Sequence, residues 1–238
     1  MQSTFRSQSF RPVWSWAGCF LVLAAFALWI DLPVSLARPV LPPEAVWTQL
    51  WTLPELFGDG CGVILICLCI FLFDHSRRGF VPRVIFCTLA AGIAASMTKP
   101  IILRTRPREF GFDAGVLSTF EGTLPWNYWF DDTFLLNSDV LSFPSAHAAT
   151  AVGMAIGLTW LYPRHRSWFI ALAVAAAGQR VIVGAHFVSD TLAGAALGCV
   201  VASFILNSNR AHRFFHRWEH AASSPVLGRG ELGSDQAR

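Results

Sequence analysis

The sequence predicts an all-α membrane protein, a bundle of about six transmembrane helices with an interfacial cap segment. Three observations predict it. Of 238 residues, 54% are hydrophobic and only 14% charged, with a mean hydropathy of +0.48; soluble domains carry about a quarter charged residues. The apolar residues gather into runs, and spanning the hydrocarbon core takes ~20 of them per helix. The basic residues are unevenly distributed between the connections, as sided membrane proteins require.

The runs are Trp14–Ile30, Gly58–Phe73, Val81–Thr98, His147–Tyr162, Trp168–Ala185 and His186–Leu206. The last two come from one 39-residue run, too long for one span and about right for two, divided near Gly184. With the N-terminus in the cytoplasm, twelve of the 18 basic residues fall on the inner side. Asp74–Phe80 and Pro163–Ser167 carry the clearest part of that signal, with Arg77, Arg78, Arg164 and Arg166. Eleven of the 15 acids fall outside. Both termini are therefore expected in the cytoplasm.

In chain order, residues 1–12 read as a polar cytoplasmic tail, 13–206 as the membrane domain and 207–238 as a basic cytoplasmic tail. The first run follows arginines, as a signal peptide does, and Ser35-Leu36-Ala37 is a weak cleavage match. Its length argues for an uncleaved span. Residues 31–57 are proline-rich, and Trp47 and Trp51 predict an interfacial helix there. Glu55 to Gly60 reads as turn chemistry before the second span. The six cysteines lie in or beside apolar runs without zinc spacing, so they read as small hydrophobes. Residues 99–146 form a 48-residue connection with nine aromatics, among them Trp126, Tyr128, Trp129 and Phe130, interleaved with acids. A connection this long is usually functional, and this one reads as a cap at headgroup level. The tail holding Arg210, His212, Arg213, His216, Arg217 and His220 reads as a short basic helix on the anionic inner leaflet.

Three clusters of polar residues interrupt this pattern, all expected at the outer face. Lys99, the only lysine, begins Lys99-x6-Arg106-Pro107, flanked by Arg104 and Arg108. On a helical path Lys99 and Arg106 lie two turns apart, on one face; interfacial anchoring is the bland alternative. The second cluster is Pro144-Ser145-Ala146-His147, where Ser145 offers an N-cap and the first-turn N–H groups an anion site, with His147 planted beside it. The third is Gln179-Arg180 and His186-x3-Asp190. On a helix His186 and Asp190 share a face, so the carboxylate holds one ring nitrogen and leaves the other as base or nucleophile. Ionisable groups inside an apolar run are costly and point to function.

Together these clusters resemble the type 2 phosphatidic acid phosphatases, a superfamily that includes the vanadium haloperoxidases. The resemblance covers residues 81–206 in detail, and Gly58-Asp59 resembles the family's turn before the second span. It implies a metal-independent enzyme without cofactor. His186 would attack phosphorus and form a phosphohistidine, Asp190 would orient it, and His147 would protonate the leaving oxygen. Lys99, Arg106 and Arg180 would hold the phosphoryl oxygens, with Ser145 and the backbone near Ala146 completing the cradle. Two positions depart from the family pattern: Ala146 stands where glycine is usual and Gln179 where serine is usual. Glutamine can still donate to a phosphate oxygen.

The expected function is hydrolysis of a phosphate monoester or diphosphate on a lipid headgroup, at the periplasmic face of an inner membrane. The alternatives are a lipid phosphotransferase using the same site and a non-catalytic binder of anionic lipids, which would not need the His186–Asp190 pair or His147. Oxidant chemistry gains nothing from six spans. The expected partners are a phosphorylated lipid and the bilayer. The cations are too few for a nucleic-acid track.

Overall fold

The computed structural model describes residues 11–39, 46–112, 115–123 and 138–221. The tryptophan-rich part of the cap (Trp126, Tyr128, Trp129, Phe130) and the two chain ends lie outside them. The chain is mostly helical: α1 (Arg11–Ala37), α2 (Val46–Thr52), α3 (Gly60–Phe73), α4 (Val81–Thr98), α5 (Ala146–Leu161), α6 (Arg166–Ile182), α7 (Val188–Asn207) and α8 (Asn209–Ala221). The all-α expectation holds for a mostly helical chain, with one short ladder added. Between α4 and α5, β1 (Leu103–Arg104) pairs antiparallel with β2 (Phe120–Gly122), and Arg104 also bridges to Leu141.

Helix α5 is central and packs against α4, α6 and α7, while α1 lies along α7. The sequence allows this closeness because the facing residues are small. Ala91, Ala95 and Ala149 are fully buried at the α4–α5 seam. At the α5–α7 seam a Cβ on Gly194 would stand 2.2 Å from the Ser145 carbonyl oxygen. Below this, Val63, Val84, Met154, Leu158 and Leu161 form the larger apolar core. The opposite faces are apolar and exposed, including Trp29 and Phe26 on α1, Leu68 and Phe73 on α3, and Trp168 and Val174 on α6. An apolar surface of that extent calls for lipid.

Among the described residues, three helical stretches are long and apolar enough to cross a membrane: Val13–Ala37, Arg78–Ile101 and Val188–Asn207. Gln49–Phe57 and Gly60–Phe73 would make a fourth span, bent by 65°, and α5 is a shorter apolar helix. Each of the six apolar runs thus contains a helix, with shifted bounds. The first continues past Asp31 and through Pro33 to Ala37. The last two are separated by a turn over residues 183–187, where Gly184 has φ +66° and the Arg38 side chain packs against its Cα. Any side chain at Gly184 would meet both a left-handed backbone and that guanidinium. The turn therefore removes His186 from the helix.

At the other end, α8 docks through Arg83, whose Nε lies 3.0 Å from Glu219 Oε1. Arg210, Arg213, Phe214, Arg217 and Trp218 on α8 are exposed, which agrees with the basic helix read from the sequence.

Candidate active site

The site is assembled where α4, α5 and the α6–α7 turn converge. Lys99 does not continue α4. Residues 99–101 form a short 3-10 turn and the chain then becomes extended, so the two-turn helical path from Lys99 to Arg106 is not the route taken. The two cations still meet: the charges of Lys99, Arg106 and Arg180 act on one another, and those of Lys99 and Arg106 reach His186. Two buried guanidinium nitrogens, Nε of Arg106 and Nε of Arg180, have no hydrogen-bond partner among the described residues. A buried donor left without an acceptor costs about 1–3 kcal/mol, so both are poised for an anion.

Ser145 caps α5, its Oγ accepting from the Ala148 N–H at 3.3 Å. Ser145 N–H itself donates to the Asp190 carbonyl at 3.0 Å, tying the second cluster to the third. Ala146 and His147 occupy the first turn of α5, among the N–H groups that have no intrahelical acceptor.

The His186–Asp190 relation differs from the i,i+4 pair expected on a helix. His186 precedes α7, and Asp190 is its third residue, reaching back to the Phe187 N–H at 2.9 Å. The nearest approach of His186 Nδ1 to Asp190 Oδ2 is 3.9 Å, too long for a hydrogen bond. Ser142 stands between them instead. His186 Nδ1 lies 2.7 Å from the Ser142 carbonyl oxygen, and Ser142 Oγ donates to Asp190 Oδ2 at 2.6 Å. A carbonyl only accepts, so Nδ1 carries the ring proton and Nε2 is the bare nitrogen. Burial pushes the His186 pKa down to about 4, outweighing the pull of the Asp190 carboxylate. The ring is neutral at pH 7.

Asp190 is held from its far side by a residue that sequence reasoning took for a flanking anchor. Arg104 is fully buried and directs its whole guanidinium inward. Nε donates to Thr119 Oγ1 at 3.0 Å, NH1 to Ser189 Oγ at 2.7 Å and to Asp190 Oδ1, and NH2 to Asp31 Oδ2 at 2.8 Å. Its plane is stacked with the rings of Phe187 and Phe120, at 4.0 and 4.5 Å. Asp31, at 0% exposure, also accepts from the Ser189 N–H at 3.0 Å and the Ser189 hydroxyl at 2.5 Å. Sequence reasoning missed Asp31, Ser142 and Ser189. Only Asp31 carried a signal, as an acid adjoining an apolar run.

On the other flank, Gln179 is buried and its amide is engaged: Nε2 donates to Glu55 Oε2 at 3.1 Å. The expected phosphate donor thus faces Glu55 through one of its two N–H groups. Arg180 NH1 donates to Glu55 Oε1, and His147 Nε2 lies 3.5 Å from the same oxygen. Glu55 was read only as turn chemistry, and nothing in the local sequence marks it.

The PAP2 superfamily model matches residues 80–214. Two curated relatives are similar along most of their length. The lipid A 1-phosphatase of Rhizobium etli is 31% identical over 211 residues, covering 79% of this chain and 82% of the relative. That of Rhizobium johnstonii is 30% identical over 217 residues, covering 81% and 80%. No solved structure matches the chain. The matched segment contains all three clusters and more than half of the chain, and the two relatives are covered to about four fifths of their length, so the chain belongs to the PAP2 superfamily.

Proposed function

We propose that this lipid phosphatase hydrolyses the phosphate of a membrane lipid through a phosphohistidine on His186, at the periplasmic face of the inner membrane. The observation that carries the reading is the His186 ring. It is buried and neutral, with Nδ1–H fixed on the Ser142 carbonyl, which leaves Nε2 bare beside two cations. Nε2 attacks phosphorus, and a P–N bond forms as the P–O bond to the lipid breaks. Nδ1–H keeps its acceptor throughout, so the positive charge that develops on the ring is met by the Ser142 carbonyl and, through Ser142, by Asp190. Lys99, Arg106 and Arg180 take the equatorial oxygens, joined by the free N–H groups at Ala146 and His147. Phosphoryl transfer needs little more than such positioning and charge neutralisation. His147 gives its proton to the leaving oxygen, then accepts one from the water that splits the P–N bond and frees phosphate. Ser145 shapes this cradle as the cap of α5, and Gln179 does so from behind Arg180.

The relatives act on lipid A, which makes a lipid A 1-phosphate the expected best substrate. The six-span bundle, with domain 13–206 between cytoplasmic segments 1–12 and 207–238, is supported by a helix in each of the six apolar runs and by the sidedness of the arginines.

The test is phosphate release from a panel of lipid A, phosphatidate, phosphatidylglycerophosphate and undecaprenyl diphosphate, in detergent with chelator. Wild type is expected to release phosphate, fastest from lipid A, and His186→Ala to lose at least about 10³-fold. Release that persists in His186→Ala, or phosphate that passes to a second lipid rather than to water, would overturn the reading.

A further inference from the structure

Glu55 stands in the middle of the candidate site with no role in the chemistry above. It lies in the short 3-10 stretch Leu53–Phe57 that precedes α3, with Pro54 fixing its backbone entry. The stretch is firmly seated. Phe57 is buried in the apolar core, and Gly58 lies so close to α5 that a Cβ there would stand 2.6 Å from the His147 carbonyl oxygen. Gly58 N–H closes the turn on the Glu55 carbonyl at 2.8 Å. The Glu55 carboxylate therefore reaches the site from a fixed base.

All three of its side-chain partners are site residues. Oε1 takes Arg180 NH1 and faces His147 Nε2 at 3.5 Å, and Oε2 takes Gln179 Nε2 at 3.1 Å. Four charged groups act on His147: the carboxylates of Glu55 and Asp59, and the cations Arg180 and Lys99. Of these, Glu55 is the one within ion-pair distance of the ring among the described residues. Gln179, where the family pattern has serine, is the residue that anchors its second oxygen.

We propose that Glu55 is a positioning residue acting through His147, and that the enzyme is thereby fitted to phosphomonoesters with a poor leaving group, an alkyl or sugar hydroxyl. The inference rests on the hydrolase reading. As an imidazolium, His147 has two N–H donors. Glu55 faces the one on Nε2 at 3.5 Å and orients the ring by its charge. The other proton moves to the leaving oxygen as the P–O bond breaks and the P–Nε2 bond to His186 forms, leaving the His147 ring neutral. A held acid matters most when the departing oxygen is strongly basic. It matters little for a nitrophenolate, which departs unprotonated, or for the phosphate leaving group of a diphosphate.

The experiment compares decyl phosphate, p-nitrophenyl phosphate and the lipid panel, using full-length wild type, Glu55→Gln, His147→Asn and the double variant in detergent. Glu55→Gln is expected to lose at least about tenfold more kcat on decyl phosphate than on p-nitrophenyl phosphate, within the 10²–10⁴-fold range of general acid catalysis. In the His147→Asn background it is expected to add almost nothing, since the two act as a unit. Equal losses on both esters, or a loss that multiplies with that of His147→Asn, would show a merely structural carboxylate and overturn the proposal. Normal lipid hydrolysis by Glu55→Gln would also overturn it, with the hydrolase reading intact. If wild type hydrolyses no lipid but the small-ester ratio still depends on Glu55, the lipid reading falls and the role of Glu55 stands. A wild type that cleaves neither the lipids nor the small esters overturns both.

Discussion

Arg104 shows how far a single side chain extends in this molecule. It joins Asp31 on α1, Thr119 on the connection, and Ser189 and Asp190 on α7, with no exposed atoms of its own. Breaking a buried pair from one side leaves an uncompensated charge and costs about 3–5 kcal/mol. Arg104→Met leaves two such carboxylates, so a fall of roughly 10 °C in the unfolding midpoint is expected for a chain of this size, read by thermal unfolding in detergent. Asp31→Asn is expected to lower it less, because the amide oxygen still accepts. The depressed pKa of His186 sets a second expectation. The unfolded ring takes its proton near pH 6.5 and the folded one only near 4. The unfolded state therefore binds the proton first, and stability falls as pH drops from about 6.5 toward 4. His186→Asn should flatten that stretch of the stability curve, measured as unfolding midpoint against pH. In catalysis, the same shift keeps the nucleophile neutral well below pH 6, so kcat/KM should show no loss assignable to His186 until pH approaches 4. At this scale the sequence was legible where residues of one cluster follow one another. Lys99, Arg106, Ser145, His147, Arg180, His186 and Asp190 all converge. The links between Asp31, Arg104 and Asp190, or Glu55 and His147, left no trace, because positions so far apart in the chain share no spacing rule.

Among elements, the α5–α7 seam governs the site. Gly194 lets α7 lie directly under the Ser145 cap, and Gly198 does the same one turn below at the Ala149 carbonyl. A methyl at Gly194 meets backbone rather than a movable side chain, so α5 must shift, carrying His147 and the first-turn N–H groups with it. Gly194→Ala is expected to reduce kcat by about 10²-fold, since small misplacements of reacting groups cost that much, and to lower the unfolding midpoint. Ala195→Gly, one residue away, should leave the kcat near wild type; the two are compared by phosphate release. Helices read well from the sequence because each apolar run is bounded by proline, glycine or charge. Their ends read poorly. The turn after Ile182 depends on the positive φ at Gly184, and α1 runs on through Pro33, which a helix tolerates at a local cost in hydrogen bonding. The departure at Lys99 had a signal in Pro100 and the β-branched pair Ile101-Ile102. It was outweighed by the seven-residue spacing to Arg106.

For the whole molecule, the expected sidedness is a sum over all connections, which is why charge counting gives a definite orientation to test although individual spans are short. It predicts that Ser118→Cys, in a background with Cys19, Cys61 and Cys69 replaced by alanine, reacts with a membrane-impermeant maleimide on intact spheroplasts, whereas Ser76→Cys reacts only after lysis. Span number was less legible, because α5 and α6 are short and α5 buries most of its apolar surface against neighbours. The packing of α1 along α7 has a consequence for how the protein is made. Helix α1 is made long before α7, and Asp31 meets its Ser189 partner only when synthesis has passed α7. Until then the Asp31–Arg104 pair of a nascent chain lacks its Ser189 and Asp190 partners. Incomplete chains thus carry a visible defect, and completion itself erases it.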